Sequence, residues 1–362
     1  MRKKLLIYLQ DVGGTRYLLP LLRTVLKDLP DVETLYLLHP LSEGIVRSRS
    51  FDPTHVRTIS GHLADGECMN ILKKERITHL LCTLSSPYFD PTNCHLIQAA
   101  RRAKMPTLGF MDHWKGYDRF YDKGGDPSFF TDWIGCPDQF VRDELLKRGI
   151  SKDRLHIIGH PGLEFLLNHR ETRRENHEGK KILVVSQPLL HDRSFRGIFF
   201  RQDGSKPLLE RLIETFSSPQ WQLFYRPHPK EKLAELPKGI IKAPPATTEE
   251  ALVEYDLFLG LNSMMLFEAS LVGLPCLLLE VPELDDLHDS PIPYHYGKII
   301  RDFKQLTQAC NGLLSGDPLN GTGITDIHKL DIEVFRQQLQ GSLDRSKQLL
   351  RQLMDQPIAL LQ

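Results

Sequence analysis

Residues 257–279 read Leu257-Phe258-Leu259-Gly260-Leu261-Asn262-Ser263-Met264-Met265-Leu266-Phe267-Glu268-Ala269-Ser270-Leu271-Val272-Gly273-Leu274-Pro275-Cys276-Leu277-Leu278-Leu279. A short apolar run predicts a buried strand over Leu257–Gly260, ending in a turn. Ser263 stands where a helix N-cap belongs, which predicts a helix over Met264–Leu271, and a second apolar run predicts a strand over Cys276–Leu279. Strand, helix and strand in this rhythm make a parallel sheet covered by helices.

The same rhythm extends over nearly the whole chain. Upstream, strands are expected at Leu5–Leu9, Thr34–Leu38, Thr78–Thr83, Thr107–Met111, Trp133–Gly135 and His156–Ile158. Between them Tyr17–Leu26, Glu67–Lys74, Cys94–Ala103 and Asp138–Arg148 space apolar residues three or four apart, the period of a helix face. A second series opens with strand Ile182–Val185, helix Leu208–Phe216 and strand Gln222–Tyr225. Between the series, residues 168–181 are charged and lack aliphatics, so they read as a surface linker. After Asp331, apolar residues recur at helical spacing. The expected organisation is therefore a doubly wound α/β domain at 1–167, a linker at 168–181, a second such domain at 182–330, and a helical segment at 331–362.

Bulk properties agree with two cores. A chain of 362 residues is long for one domain. Its 46 basic and 46 acidic residues leave no global field to attract nucleic acid, so any anion site must be local. The six cysteines form no Cys-x-x-Cys pair and read as reduced, buried thiols without a zinc site. No stretch reaches the ~20 apolar residues of a membrane span. These features describe a soluble cytoplasmic protein, at most peripheral to the inner face of the membrane.

Ligands of open α/β sheets bind beyond the carboxyl ends of the strands, which directs attention to the residues just past each strand. At Ser263 the helix opens with unpaired backbone N–H groups, a seat for phosphate, and Glu268 lies one and a half turns on, where its carboxylate can accept ribose hydroxyls. The alternative is that Ser263 is only a cap and Glu268 an exposed acid. Past the strand Gln222–Tyr225, the segment Arg226-Pro227-His228-Pro229-Lys230 gathers cations and an imidazole in a proline-stiffened loop suited to a diphosphate. Near the amino terminus, Asp11-Val12-Gly13-Gly14 follows a strand, and its glycines allow a tight turn and close approach of substrate to backbone, or simply a strand-to-helix turn. Met111-Asp112-His113-Trp114-Lys115-Gly116-Tyr117 leaves an apolar strand with an acid and an imidazole able to take a proton, and with Trp114 and Tyr117 as aromatic faces for a sugar. In the plainer reading Asp112 forms a turn and Trp114 fills an interface.

Taken together, Asn262-Ser263 through Glu268 with Gly273-Leu274-Pro275, the His228-Pro229 element, and Gly159-His160-Pro161-Gly162-Leu163-Glu164 resemble the glycosyltransferase B superfamily. The nearest branches are bacterial capsule and lipopolysaccharide sugar transferases with His-Pro and Ser motifs, the CDP-glycerol glycerophosphotransferases, and UDP-N-acetylglucosamine 2-epimerases. The resemblance implies two Rossmann-like domains facing a cleft, a carboxyl-terminal helix crossing back onto the first domain, nucleotide in the second domain and acceptor in the first. By the same resemblance Ser263 and His228 contact donor phosphates, Glu268 the ribose, and Ser186, Gln187, His191 and Arg193 border the diphosphate. The epimerase pattern departs here: a glutamate-centred motif is replaced by Asp112-His113-Trp114, and a His-Arg-Arg pattern by Leu190-His191-Asp192-Arg193.

The resemblance thus implies transfer of a sugar from a nucleotide-activated donor to a hydroxyl of a glycan or lipid-linked acceptor. Asp112 is expected as general base, with His113 as substitute. Nucleotide-sugar-binding residues are expected at Ser263, Glu268, His228, Arg226, Asn262, Ser186, Gln187, Arg193, Gly13 and Gly14, and acceptor-binding residues at Trp114, Tyr117 and Asp11. No cofactor is expected, and no Asp-x-Asp pair is present to hold a metal at the diphosphate. A nucleotide-sugar 2-epimerase or hydrolase, and a catalytically silent nucleotide-sugar-binding protein, are the alternatives.

Overall fold

The computed structural model describes residues 2–48, 55–87, 90–122, 124–125, 127–168, 180–186, 208–228, 236–280, 292–315 and 330–357. It contains two compact units, one built from Met1–Phe165 with Phe335–Gln362, the other from Leu166–Val334. The expected linker overlaps 169–179, which lie outside the described residues; its last two positions already belong to a strand.

In the first unit seven parallel strands, β1 (Lys4–Leu9), β2 (Glu33–Leu38), β3 (Val56–Thr58), β4 (His79–Thr83), β5 (Thr107–Phe110), β6 (Trp133–Cys136) and β7 (Leu155–Ile157), lie in the order β3-β2-β1-β4-β5-β6-β7. Helices α1 (Val12–Asp28), α2 (Pro40–Ser48), α3 (Asp65–Lys74), α4 (Thr92–Arg102), α5 (Gln139–Lys147) and α6 (Pro161–Asn168) follow the strands in alternation. Leu5, Leu6, Ile7, Tyr8 and Leu9 are all fully buried, as a strand covered on both faces requires. The order reverses between β1 and β4, so the ends of these two strands mark the switch point where such sheets take ligands.

The second unit repeats the plan. Strands β8 (Lys180–Val185), β9 (Trp221–Arg226), β10 (Ile241–Lys242), β11 (Leu257–Gly260), β12 (Cys276–Leu279) and β13 (Lys298–Ile300) are parallel in the order β10-β9-β8-β11-β12-β13, with α7 (Leu208–Thr215), α8 (Thr248–Glu254), α9 (Met264–Leu271) and α10 (Phe303–Ser315). The reversal falls between β8 and β11, where Leu259 pairs with Val184 on one side and Leu277 on the other.

The chain ends in α11 (Ile332–Leu339) and α12 (Ser342–Met354). Leu349, Leu350, Leu353 and Met354 of α12 join Leu5, Ile7, Leu9, Tyr17 and Phe110 in one buried cluster of the first unit. Polar ties fix this docking. The Glu164 carboxylate accepts the N–H groups of Gly341 at 2.6 Å and Leu343 at 2.7 Å, satisfying donors at the start of α12. Gly159 adopts φ +84°, and a Cβ there would stand 1.9 Å from the Ser342 hydroxyl, so only glycine admits α12 at this distance.

Strand positions agree with the sequence pattern to within a residue or two, and Leu257–Gly260, Met264–Leu271 and Cys276–Leu279 coincide. The pattern missed the exposed edge strands β3 and β10, which lack a buried face and hence an apolar run. It also started α1 too late. This helix begins at Val12 and passes through Gly13, Gly14 and Pro20, so the expected glycine turn is in fact a first helical turn.

Candidate functional site

On the second unit, the structure brings residues past three neighbouring strands to one edge of the sheet. Ser263 caps α9, its hydroxyl accepting the Met265 N–H at 3.3 Å. Because α9 is apolar around its circumference, it is sunk in the unit, and Glu268 goes with it at 6 % exposure. Glu268 is therefore not an exposed helix acid. Gly260 lets β11 close on β8: a Cβ would lie 2.8 Å from the Val185 carbonyl. Ser186, just past β8, is buried and accepts the Tyr225 hydroxyl at 2.7 Å, and its amide bonds the Arg226 carbonyl at 3.0 Å. Arg226, the last residue of β9, spends one guanidinium nitrogen on the Ala246 carbonyl at 3.0 Å, and His228 follows two residues later. Asn262 precedes the cap and is half-buried. Gln187, His191, Arg193, Pro229 and Lys230 lie outside the described residues.

On the first unit, Asp112 stands just past β5. Its Oδ1 accepts Arg119 Nη1 at 3.0 Å, and Arg119 also donates to the carbonyls of Gly116 and Leu84. Arg119 thus binds three loops at the sheet's carboxyl-end edge, and a hydroxyl proton approaching Asp112 competes with a guanidinium already in place. Gly13 and Gly14 serve this same edge. A Cβ at Gly13 would press on Asp112 Oδ2 at 3.2 Å, and one at Gly14 on the Thr83 side chain at 2.7 Å. The close approach these glycines permit is made by the helix to its own sheet. Asp11, half-buried, uses its carbonyl to receive both the amide and the hydroxyl of Thr15.

Two expected sugar platforms are corrected. Trp114 is 2 % exposed, its indole N–H bonds the Asp138 carboxylate and its ring meets Phe335 edge-on at 5.3 Å. Asp138 in turn caps α5 through the Val141 amide at 2.8 Å, so Trp114 is a fixed interior piece. The Tyr117 ring is covered by the Arg148 guanidinium at 4.2 Å, and burial pushes its hydroxyl up from the ordinary phenol value. Neither ring offers a free face to a sugar.

His113 accepts the Lys115 amide on Nδ1 at 3.1 Å, and burial pushes it down to about 4, so it is neutral at pH 7 with the hydrogen on Nε2. In the segment 159–164, His160 is an interior residue. Its Nδ1 accepts the Leu163 amide, its ring lies 4.2 Å from that of Tyr17, and burial pushes it down to about 3. This His-Pro-Gly stretch opens α6 and lets it touch α1, where a Cβ at Gly162 would meet the Arg16 carbonyl at 2.9 Å.

The first unit also carries a cluster that sequence reading passed over. Asp90 precedes α4, its side chain only 6 % exposed, and its Oδ1 accepts the Thr92 amide at 2.8 Å. His62 Nδ1 lies 3.0 Å from Oδ1, and His39 Nε2 lies 3.0 Å from Oδ2. The Asp90 carbonyl accepts Gln10 Nε2 at 3.0 Å, which ties the cluster to the end of β1. Burial pushes this carboxyl up, but hydrogen bonds from Thr92 and His62 outweigh it and hold Asp90 below the usual carboxylate range. The available signal was Asp90-Pro91-Thr92-Asn93 directly before a helical pattern; the histidines come from distant segments.

No family model matches the sequence, and no curated protein matches it. Solved structures do. UDP-GlcNAc 2-epimerase from Methanocaldococcus jannaschii superposes with a TM-score of 0.63 at 14 % identity, covering 97 % of this chain and 99 % of that one. The Neisseria meningitidis UDP-GlcNAc 2-epimerase bound to UDP-GlcNAc gives 0.60 at 11 % identity, over 97 % and 99 %. The glycotransferase of kitacinnamycin gives 0.61 at 14 % identity, over 98 % and 100 %. With its sheets of seven and six parallel strands, each reversing order at an internal switch point, the chain has the glycosyltransferase B fold.

Proposed function

We propose that this protein transfers a sugar from a nucleotide-activated donor to a hydroxyl of a glycan or lipid-linked acceptor, without a divalent metal. The observation that carries the reading is the gathering of Ser263 at the α9 amino terminus with Ser186, Arg226 and His228 along the carboxyl edge of β8, β9 and β11. Backbone N–H groups at a capped helix start and a neighbouring cation are what a leaving diphosphate requires. Glu268 is the proposed ribose contact, and Asn262 lines the same turn. A lipid-linked acceptor would bring the protein to the inner membrane face; among the described residues no helix is long and apolar enough to cross it.

A second reading, nucleotide-sugar 2-epimerisation, is favoured by structural neighbours that carry that name. The two separate in one experiment. Uridine and cytidine nucleotides and their sugar conjugates are screened by thermal shift, and the donor that binds is incubated alone and then with acceptor glycans. Consumption only with acceptor supports transfer. Conversion of the donor alone into its epimer would replace the transferase reading.

A further inference from the structure

The Asp90 cluster presents two imidazoles to one carboxylate, but they are not equivalent. His39 places Nε2 against Asp90 and accepts the Leu41 amide on Nδ1 at 3.2 Å, so both ring nitrogens are engaged and the residue closes the start of α2. His62 directs Nδ1 to Asp90 at 3.0 Å, which commits that nitrogen as donor and leaves the lone pair on Nε2. Its side chain is 64 % exposed, whereas the carboxylate that orients it is 6 % exposed. A buried carboxylate holding Nδ1–H, with Nε2 open to solution, is the arrangement by which an imidazole becomes a positioned general base.

The support around the pair is rigid. The Leu63 amide donates to Thr92 Oγ1 at 2.9 Å, and His95 Nδ1 lies 2.7 Å from the Leu63 carbonyl, so the loop bearing His62 is pinned to α4. Asp90 is fixed by Thr92 on one side and Gln10 on the other, and Gln10 also accepts the Tyr8 hydroxyl at 3.0 Å. Gln10 follows β1 directly, and Asn93 reaches the Thr83 carbonyl at the end of β4 at 2.8 Å. The cluster therefore sits at the β1–β4 switch point of the first sheet. Asp112 and His113, by contrast, already have Arg119 and the Lys115 amide as partners.

We propose that His62, positioned by Asp90, removes the proton from the acceptor hydroxyl. The inference rests on the transferase reading for its substrate, though not for its geometry. As the acceptor O–H bond breaks, its proton passes to His62 Nε2 and the oxygen bonds to the anomeric carbon. The bond from that carbon to the nucleoside diphosphate breaks and its electron pair leaves with the phosphate. His62 then returns the proton to solvent.

The test has two arms on the full chain. In the first, needing no substrate, nitrogen-edited NMR of the histidine rings should find His62 as the Nδ1–H tautomer, and Asp90→Asn should disturb that state. An Nε2–H tautomer in the wild type would overturn the proposal. In the second, the donor found by thermal shift is paired with an acceptor glycan. His62→Gln should lower kcat about 10²–10⁴-fold while donor affinity stays unchanged, with partial recovery in added imidazole. His39→Gln is the control for damage to the cluster, and should retain turnover. Unchanged kcat in His62→Gln, or collapse of kcat in Asp112→Asn alone, would overturn it. A wild type that turns over no donor fails the transferase reading, and the tautomer still decides whether His62 is a carboxylate-oriented base.

Discussion

Replacing Glu164 by alanine should loosen the attachment of α12 to the first unit. The Glu164 carboxylate receives two backbone amides, at 2.6 and 2.7 Å, at the positive end of a 13-residue helix. Hydrogen bonds to a charged group contribute about 1.5–3 kcal/mol each. Water can replace part of that here, because the bonds are only part-buried, so the net loss is about 2–4 kcal/mol. For a unit of this size that corresponds to a fall of roughly 6–12 °C in the first unit's unfolding midpoint. Glu164→Gln, which keeps one acceptor oxygen, should lose about half as much. Differential scanning calorimetry reads both. Leu350→Ala provides the scale, since a fully buried leucine costs about 2–5 kcal/mol. A midpoint for Glu164→Ala within about 1 °C of wild type would show that apolar burial alone holds α12, and that the two short hydrogen bonds contribute nothing net.

Other outcomes follow from the two sheet edges and the buried histidines. Ser263→Ala should keep the fold and weaken UDP or CDP binding by about 1–3 kcal/mol in calorimetry; unchanged affinity would remove the phosphate seat from α9. Turnover should survive excess chelator, and its loss with recovery in magnesium or manganese would show that a metal neutralises the diphosphate. Asp112→Asn should cost about 1–2 kcal/mol of stability through the Arg119 pair and leave sugar transfer within about tenfold of wild type, measured by urea unfolding beside the transfer assay. Acidification should destabilise the protein. Burial pushes His79 and His113 down to about 4 and His160 to about 3, so between pH 6.5 and 4 the unfolded chain binds protons that the native state refuses. Each of the three contributes a slope of roughly 1.4 kcal/mol per pH unit in that window, and a denaturation midpoint flat from pH 7 to 5 would contradict it.

Much of the fold was legible because the interior strands are short, wholly apolar and separated by helical spacing, as in Leu257–Gly260 and Cys276–Leu279. Ser263 was legible as a cap for the same local reason. What sequence could not supply was the partner of each polar side chain. Trp114 and Tyr117 read as open faces because nothing local reveals that Asp138 and Arg148 claim them. The glycines of α1 read as a turn because the neighbours that demand their smallness, Thr83 and Asp112, are contributed by other strands. Asp90 escaped notice because its histidines lie 51 and 28 positions upstream, and only the order β3-β2-β1-β4 brings them to it.

The return of the last helix also governs how this chain can be made. Because the first unit is built from both ends of the polypeptide, a nascent chain emerging from the ribosome holds a seven-stranded sheet whose covering layer has not yet been translated. The side chains awaiting α12, among them Leu5, Tyr17 and Phe110, lack that partner until synthesis is nearly over. The intervening unit, Leu166–Val334, is continuous in sequence and can close its own core first. Doing so replaces a long flexible connection by a compact body and reduces the entropy lost when the final helix finds its seat. The order of translation thus places completion of the amino-terminal unit last.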